Sequence, residues 1–247
     1  PWVHLIENRE NVGFARANNQ ALQQASGRYA VLLNSDTQVL PGALQTLLDF
    51  MDAHPRAGAC GPLLLNADGS LQASCHPVLT AGREFWRLCF LEKLWPRATY
   101  PQHRWSRKTS HPVEVIKGAC LVLRQEALAE VGLLDERYFM YTEEMDLCAR
   151  LLQAGWENTW VPQAQVVHYG EASSKQASEA MFVALYRSKV QFQRKLFGAG
   201  AARRFKVALF IAYLPRAALM TAASLVTSRL APRARTYRHL LRELPTF

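Results

Sequence analysis

Acidic residues are nearly absent from the last part of this chain. Residues 180 to 247 carry 13 Lys/Arg against the single acid Glu243, whereas residues 1 to 179 carry 16 against 19. The formal charge of +9 therefore belongs to the tail, and the front part is mildly acidic. Cysteine is scarce as well. Cys60, Cys75, Cys89, Cys120 and Cys148 form an odd set with no C-x-x-C pair and mostly apolar neighbours. That argues against a disulfide framework or a thiolate zinc site and points to a reducing compartment. No basic-then-apolar leader opens the chain, so no signal peptide is expected. Internal repeats and low-complexity tracts are missing too. Pro215-Arg216 interrupts the tail's main apolar stretch, leaving each half short of the roughly 20 residues that span a bilayer.

What remains is an ordinary folding composition, 49% hydrophobic and 20% charged, enough for one large domain or one domain with an appendage. Pro1 to Ile6 reads as a strand already under way, without Met, so the chain is expected to begin inside a domain. Asn11-Val12-Gly13 is a turn, and Phe14, Ala17, Ala21, Leu22 and Ala25 follow at helical spacing. Tyr29 to Leu33 is continuously apolar, as a central strand covered on both faces would be. A helix starting near Pro41 carries Leu44, Leu47, Leu48 and Met51 on one face. A strand near 59–65 then runs into the turn Asn66-Ala67-Asp68-Gly69. This alternation predicts an α/β domain with a largely parallel sheet.

Residues 80 to 112 depart from the pattern, with a short aromatic-rich helix and then a polar, basic run. They read either as a helix on the core with a surface loop or as a mobile acceptor-binding segment. Strands near 113–116 and 120–123, a helix over 125–130 and a second helix ending at Gly155 follow. Strands near 157–161 and 165–168 complete the globular part.

Three short elements carry chemistry. Asn34-Ser35-Asp36 ends the 29–33 strand, where open α/β sheets bind ligands. Asp36 there could hold Mg²⁺ or Mn²⁺ against a diphosphate, although the same residues also suit a plain turn. Glu143, Glu144 and Asp146 open a helix. The helix dipole accounts for one or two such acids, but mutual repulsion and burial also raise a carboxyl's pKa into the range of a general base. His168 ends an apolar strand, as a hydrogen-bonded core residue or a metal ligand.

Taken in order, Asn8 to Ala21, Tyr29 to Thr37, Lys117 to Val122, Gly132-Leu133-Leu134-Asp135-Glu136, the acid cluster and Val167-His168 resemble the family 2 inverting glycosyltransferases. The likeness extends over residues 3 to about 197 and is strongest to the bacterial rhamnosyltransferase-like branch. It implies a GT-A-type fold, the nucleotide-diphospho-sugar transferase architecture. That fold has a mostly parallel sheet, helices on both faces and, here, C-terminal amphipathic helices. It implies sugar transfer from a nucleotide-diphosphate donor to a saccharide or lipid-linked acceptor, with inversion, in bacterial cell-surface polysaccharide synthesis.

By this resemblance, Asn34-Ser35-Asp36 is a variant D-x-D motif, with Asp36 and His168 the metal ligands. Glu144 is the catalytic base, with Glu143 and Asp146 beside it. Asn11, Phe14 and Asn18 lie near the donor, and Gly118 and Ala119 line the acceptor side. The family's opening strand and V-D-x-x-S-type segment have no counterpart before Trp2. The alternatives are therefore a truncated, inactive chain with only residual metal or acceptor binding, or a basic peripheral membrane-binding protein.

The expected division is a catalytic domain over 1–178 and a basic helical tail over 179–247. Apolar and cationic residues interleave along the tail, as in helices that lie in a membrane interface. A peripheral position on the cytoplasmic face of the plasma membrane follows as the expectation. The competing reading packs the tail as ordinary helices with solvated charges. No nucleic-acid motif accompanies the basic charge, so no nucleic-acid partner is expected.

Overall fold

The computed structural model describes residues 3–94, 99–170 and 178–247. They divide into two compact units, residues 3–78 with 100–170, and residues 79–94 and 99 with 178–247.

The first unit begins with α1 (Phe14–Leu22), β1 (Tyr29–Leu33), β2 (Thr37–Val39) and α2 (Ala43–Ala53). The long strand β3 (Ala57–Leu65) and the short β4 (Leu71–Gln72) and β5 (Cys75–His76) come next. After α3 (Ala81–Leu88), which belongs to the second unit, follow β6 (His111–Pro112), β7 (Val115–Ile116) and β8 (Cys120–Arg124). Then come α4 (Gln125–Val131), α5 (Glu143–Gln153) and β9 (Glu157–His168).

The main sheet runs β1-β8-β3-β9-β2, with β4 on β3 and β6 on β9. It is mixed. The long central pair, β3 with β9, is parallel, while β1–β8, β3–β8 and β2–β9 are antiparallel. On one face Leu47 and Met51 of α2 bury against Cys60, Leu64, Val122, Val161 and Val166. α5 is tied to β9 by Asn158, whose Nδ2 donates to Cys148 O at 3.0 Å. A side chain at Gly58 would come within 2.8 Å of Trp156 and 3.1 Å of Leu151, so glycine lets α5 close on β3. The five cysteines are free thiols, and burial pushes Cys75, Cys120 and Cys148 up to about 12.

Three expectations are corrected. Val3 to Ile6 form no strand, and Val3 and Leu5 are exposed. Among the described residues β1 is an edge strand, with Val31 and Leu33 open on one face. An apolar run alone cannot distinguish one covered face from two. The two expected strands after Gly155 are one strand of 12 residues, with a register shift opposite Pro62/Leu63.

In the second unit, α6 (Ser178–Val226) leaves helical geometry at Gly198 (φ 82, ψ 174), so it is two helices. The second of them continues through Pro215. α7 (Ala231–Glu243) packs beside both, with Tyr237 5.3 Å from the ring of Tyr213 and 6.0 Å from that of Phe182. The segment 79–94 joins this unit through α3. Buried Glu84 pairs with Arg87 at 2.6 Å and with Lys189 Nζ at 2.8 Å, and Gln193 Nε2 donates to Leu79 O at 2.7 Å.

Trp105, by contrast, stacks on His111 and lies tilted against Trp160 in the first unit, so the basic run contains a packed anchor. The expected interruption at Pro215-Arg216 does not end the helix, and among the described residues Glu179–Val226, which includes the break at Gly198, is the one helical stretch long and apolar enough, by length and composition, to cross a membrane.

Candidate active site

Strand ends converge on the expected residues. Leu33 pairs with Cys120 across β1 and β8, and just beyond it Asn34 N–H donates to Ala119 O at 3.0 Å. Gly118 follows closely: a Cβ there would lie 3.7 Å from both Glu144 Cβ and Phe14 Cζ. Asn34, Gly118, Ala119, Phe14 and Glu144 are thus gathered from four separate stretches of sequence.

The register of β2 on β9 makes a second convergence. Thr37 pairs with His168, and Tyr169 N–H donates to Asp36 O at 2.9 Å. The Asp36 carboxylate is thereby set beside the imidazole, with Oδ1 3.3 Å from Nε2. Both side chains are partly exposed. Among the described residues no cluster of three His, Cys, Asp or Glu side chains is formed. A carboxylate oxygen and an imidazole nitrogen at this spacing can share one cation, since Mn²⁺ accepts both donor types and metal–ligand bonds run about 2.0–2.2 Å. Diphosphate oxygens and water commonly complete such a shell.

The acids of the cluster lie in distinct environments. Burial pushes Glu144 up, opposed by backbone N–H donors at Glu144, Met145 and Gly118 and by the charge of Lys117. Burial likewise draws the Lys117 ammonium down, with Glu144 opposing. Glu143 is buried, and desolvation followed by the charge of Glu144 raises it to about 8. Its Oε2 has no hydrogen-bond partner among the described residues.

Asp146 behaves otherwise. Fully buried, it accepts from Arg150 Nε at 2.8 Å. The same guanidinium donates to the carbonyls of Gly132 and Leu133. Through Arg150, Asp146 therefore fastens the loop before α5.

Of the residues expected near the donor, Phe14 reaches Gly118, as above. Asn11 Oδ1 caps the turn by accepting Gly13 N–H at 3.0 Å, and Asn18 Nδ2 donates to Phe14 O at 2.8 Å. Their side chains are thus engaged in shaping the 11–18 segment. Ser35 is exposed in the turn between β1 and β2.

Sequence reasoning missed several supports. Asn19 is buried and exchanges bonds with Leu134 N–H (3.1 Å) and Leu134 O (2.8 Å), locking α1 to the segment before the acids. Lys117 was legible only as part of a motif. Tyr141 (φ 69) and Thr142 (φ 79) hold left-handed backbone conformations just before Glu143. A β-branched residue rarely adopts this conformation, and such strain concentrates at functional sites. Gly13 (φ 82) meets the same loop, and a Cβ there would come within 2.3 Å of Phe139 O.

Comparison with known proteins adds four findings. The sequence profile described as "Glycosyl transferase family 2" matches residues 1–132. An N-acetylglucosaminyl-diphospho-decaprenol L-rhamnosyltransferase of Mycobacterium tuberculosis is 34% identical over 209 residues, covering 78% of this chain and 67% of its own length. An O-antigen biosynthesis protein of Myxococcus xanthus is 31% identical over 162 residues, 64% of this chain and 12% of that protein. Among solved structures, GalNAc-T7 with UDP, GalNAc and Mn²⁺ superposes with a TM-score of 0.52 at 17% identity, over 73% of this chain and 35% of that one. The last likeness is one of fold, the GT-A architecture.

Proposed function

The chain belongs to glycosyl transferase family 2, and on that premise we propose that it transfers a sugar from a nucleotide-diphosphate donor to a hydroxyl of a saccharide or lipid-linked acceptor, with inversion. The observation that carries this is the Asp36–His168 pair at 3.3 Å, beyond the strand ends. Asp36 and His168 would hold Mg²⁺ or Mn²⁺, which offsets charge on the diphosphate when bound. Glu144 takes the acceptor proton as the acceptor oxygen bonds to the anomeric carbon. The bond from that carbon to the phosphate oxygen breaks, and the diphosphate leaves with the electron pair.

Burial and the raised pKa suit Glu144 to accept a proton, and Lys117 keeps its carboxylate form accessible. Glu143 is disfavoured as a charged partner by burial and by Glu144 itself. The name of the mycobacterial relative makes L-rhamnose and a lipid-diphosphate-linked saccharide the first donor sugar and acceptor to assay. Glu144→Gln should abolish transfer while leaving donor binding in place; undiminished turnover would remove Glu144 from its role.

The second unit we read as a peripheral membrane element. Val207, Phe210, Ile211 and Leu214 are exposed along one face of the later part of α6, at i, i+3, i+4 and i+7 spacing. Arg203, Arg204 and Arg229 are exposed in the same unit, and each such cation near anionic lipid contributes ~1 kcal/mol. Co-sedimentation with anionic vesicles, lost in Phe210→Asp/Ile211→Asp, tests this. Equal sedimentation of both proteins would contradict it.

A further inference from the structure

Behind His168 runs a chain of hydrogen bonds whose direction is fixed at its far end. It begins at Asp68, in the turn joining β3 to β4. The Ser70 hydroxyl donates to Asp68 Oδ1 at 2.6 Å and Ser70 N–H to the same oxygen at 2.9 Å. These bonds hold the Asp68 carboxyl below its usual range, so it acts as an acceptor. A hydroxyl has one proton. With that proton directed at Asp68, Ser70 Oγ accepts from Asn66 Nδ2 at 2.9 Å.

The orientation of Asn66 follows, and its Oδ1 accepts from Gln72 Nε2 at 2.9 Å. Gln72 Nε2 also donates to His168 O at 3.1 Å. Both amide hydrogens of Gln72 are then engaged, and its Oε1 lies 2.7 Å from His168 Nδ1. Rotating the Gln72 amide would set its oxygen against two acceptors, and rotating Asn66 would set its oxygen against a hydroxyl already committed elsewhere. Only one sense of the chain satisfies every member.

An amide oxygen can only accept, so Nδ1 must carry the ring hydrogen. In the neutral ring Nε2 is then the lone-pair nitrogen, and it is the one facing Asp36 Oδ1 at 3.3 Å. Two acceptors facing each other at that distance favour a cation between them. We propose that the β3–β4 hairpin is a tautomer lock, with Gln72 the positioning residue that keeps His168 in the Nδ1–H form and turns Nε2 toward a divalent cation shared with Asp36. The cation rests on the function proposed above; the tautomer rests on the hydrogen bonds alone. Partners of this kind, one bond behind a metal-binding histidine, typically change metal affinity by about 10–100-fold when removed.

The test uses the metal-free chain labelled with nitrogen isotope at histidine, with His168→Asn to identify the ring signals. Neutral His168 should show a protonated Nδ1 and a lone-pair Nε2. In Gln72→Leu the Nε2–H form should appear, and Mn²⁺ affinity, read by paramagnetic relaxation of water protons, should fall about 10–100-fold. Ser70→Ala, an exposed change in the middle of the relay, should move both readouts in the same direction by less, and stands in if Gln72→Leu fails to fold. A wild-type ring carrying its hydrogen on Nε2, or Mn²⁺ affinity unchanged in a variant whose tautomer has shifted, would overturn the lock. Wild-type protein with the Nδ1–H ring but no Mn²⁺ binding would overturn the metal reading and leave the tautomer assignment standing.

Discussion

Asp36 Oδ1 and His168 Nε2 lie 3.3 Å apart because Thr37 pairs with His168 in the antiparallel register of β2 on β9. A one-residue slip in that pairing would turn one partner to the other face of the sheet. The proposed diphosphate site is therefore fixed by strand register.

Glu144→Gln removes the proton acceptor and keeps the shape. Turnover should fall about 10²–10⁴-fold, with nucleotide affinity changed less than about twofold. Steady-state kinetics paired with calorimetry on the same preparation reads both quantities.

Glu143 makes stability depend on pH. Its folded pKa of about 8 lies above the ordinary carboxyl value of 4.5, so the folded state binds the extra proton. The stability it contributes is complete below about pH 4.5 and is lost as pH rises through about 8. Glu143→Gln should therefore gain melting temperature relative to wild type at pH 8 and show little difference at pH 4.5. Paired melting curves at the two pH values check the sign.

Arg150→Ala should be among the most damaging changes away from the proposed chemistry. It leaves Asp146 fully buried without its cation, a loss of about 3–5 kcal/mol. Denaturant titration measures it. Asp146→Asn should retain nucleotide binding wherever the protein remains folded, because the Asp146 carboxylate is engaged with Arg150, which holds the loop before α5.

Gly13→Ala should destabilise the loop that carries the acids. The position has φ 82 and the new Cβ would meet Phe139 O at 2.3 Å, so backbone must move. A cost of about 1–3 kcal/mol for the strained conformation, together with weaker transfer, is the expected result in melting and activity assays.

Much of this was readable from sequence, for identifiable reasons. The Tyr29–Leu33 strand, the α2 face of Leu47 and Met51 and the opening of α5 at the acids follow from periodicity and turn residues. Asp36 and His168 stand out as candidates at strand ends and the three acids at a helix start, but the choice of Glu144 as base comes only from the family resemblance. The edge position of β1 and the merging of two expected strands into β9 depend on pairing partners, which local pattern does not encode. The same holds for Arg150 neutralising Asp146 and for Asn19 bridging to Leu134, both contacts made only on folding. Gln72 carries no signal in the sequence, because its amide meets His168, 96 residues away, only on folding. The helix at 81–88 was legible, but its place in the second unit rests on the distant pairing of Glu84 with Lys189.

The central claim is that Asp36 and His168 form a metal-dependent diphosphate site. Calorimetry of the chain with UDP, GDP and TDP, each with Mn²⁺ and again with chelator, tests it most directly, with Asp36→Ala as control. The account predicts binding of at least one nucleotide that requires Mn²⁺ and is lost in Asp36→Ala. Binding that survives chelation or Asp36→Ala, or no binding of any of the three, would contradict it.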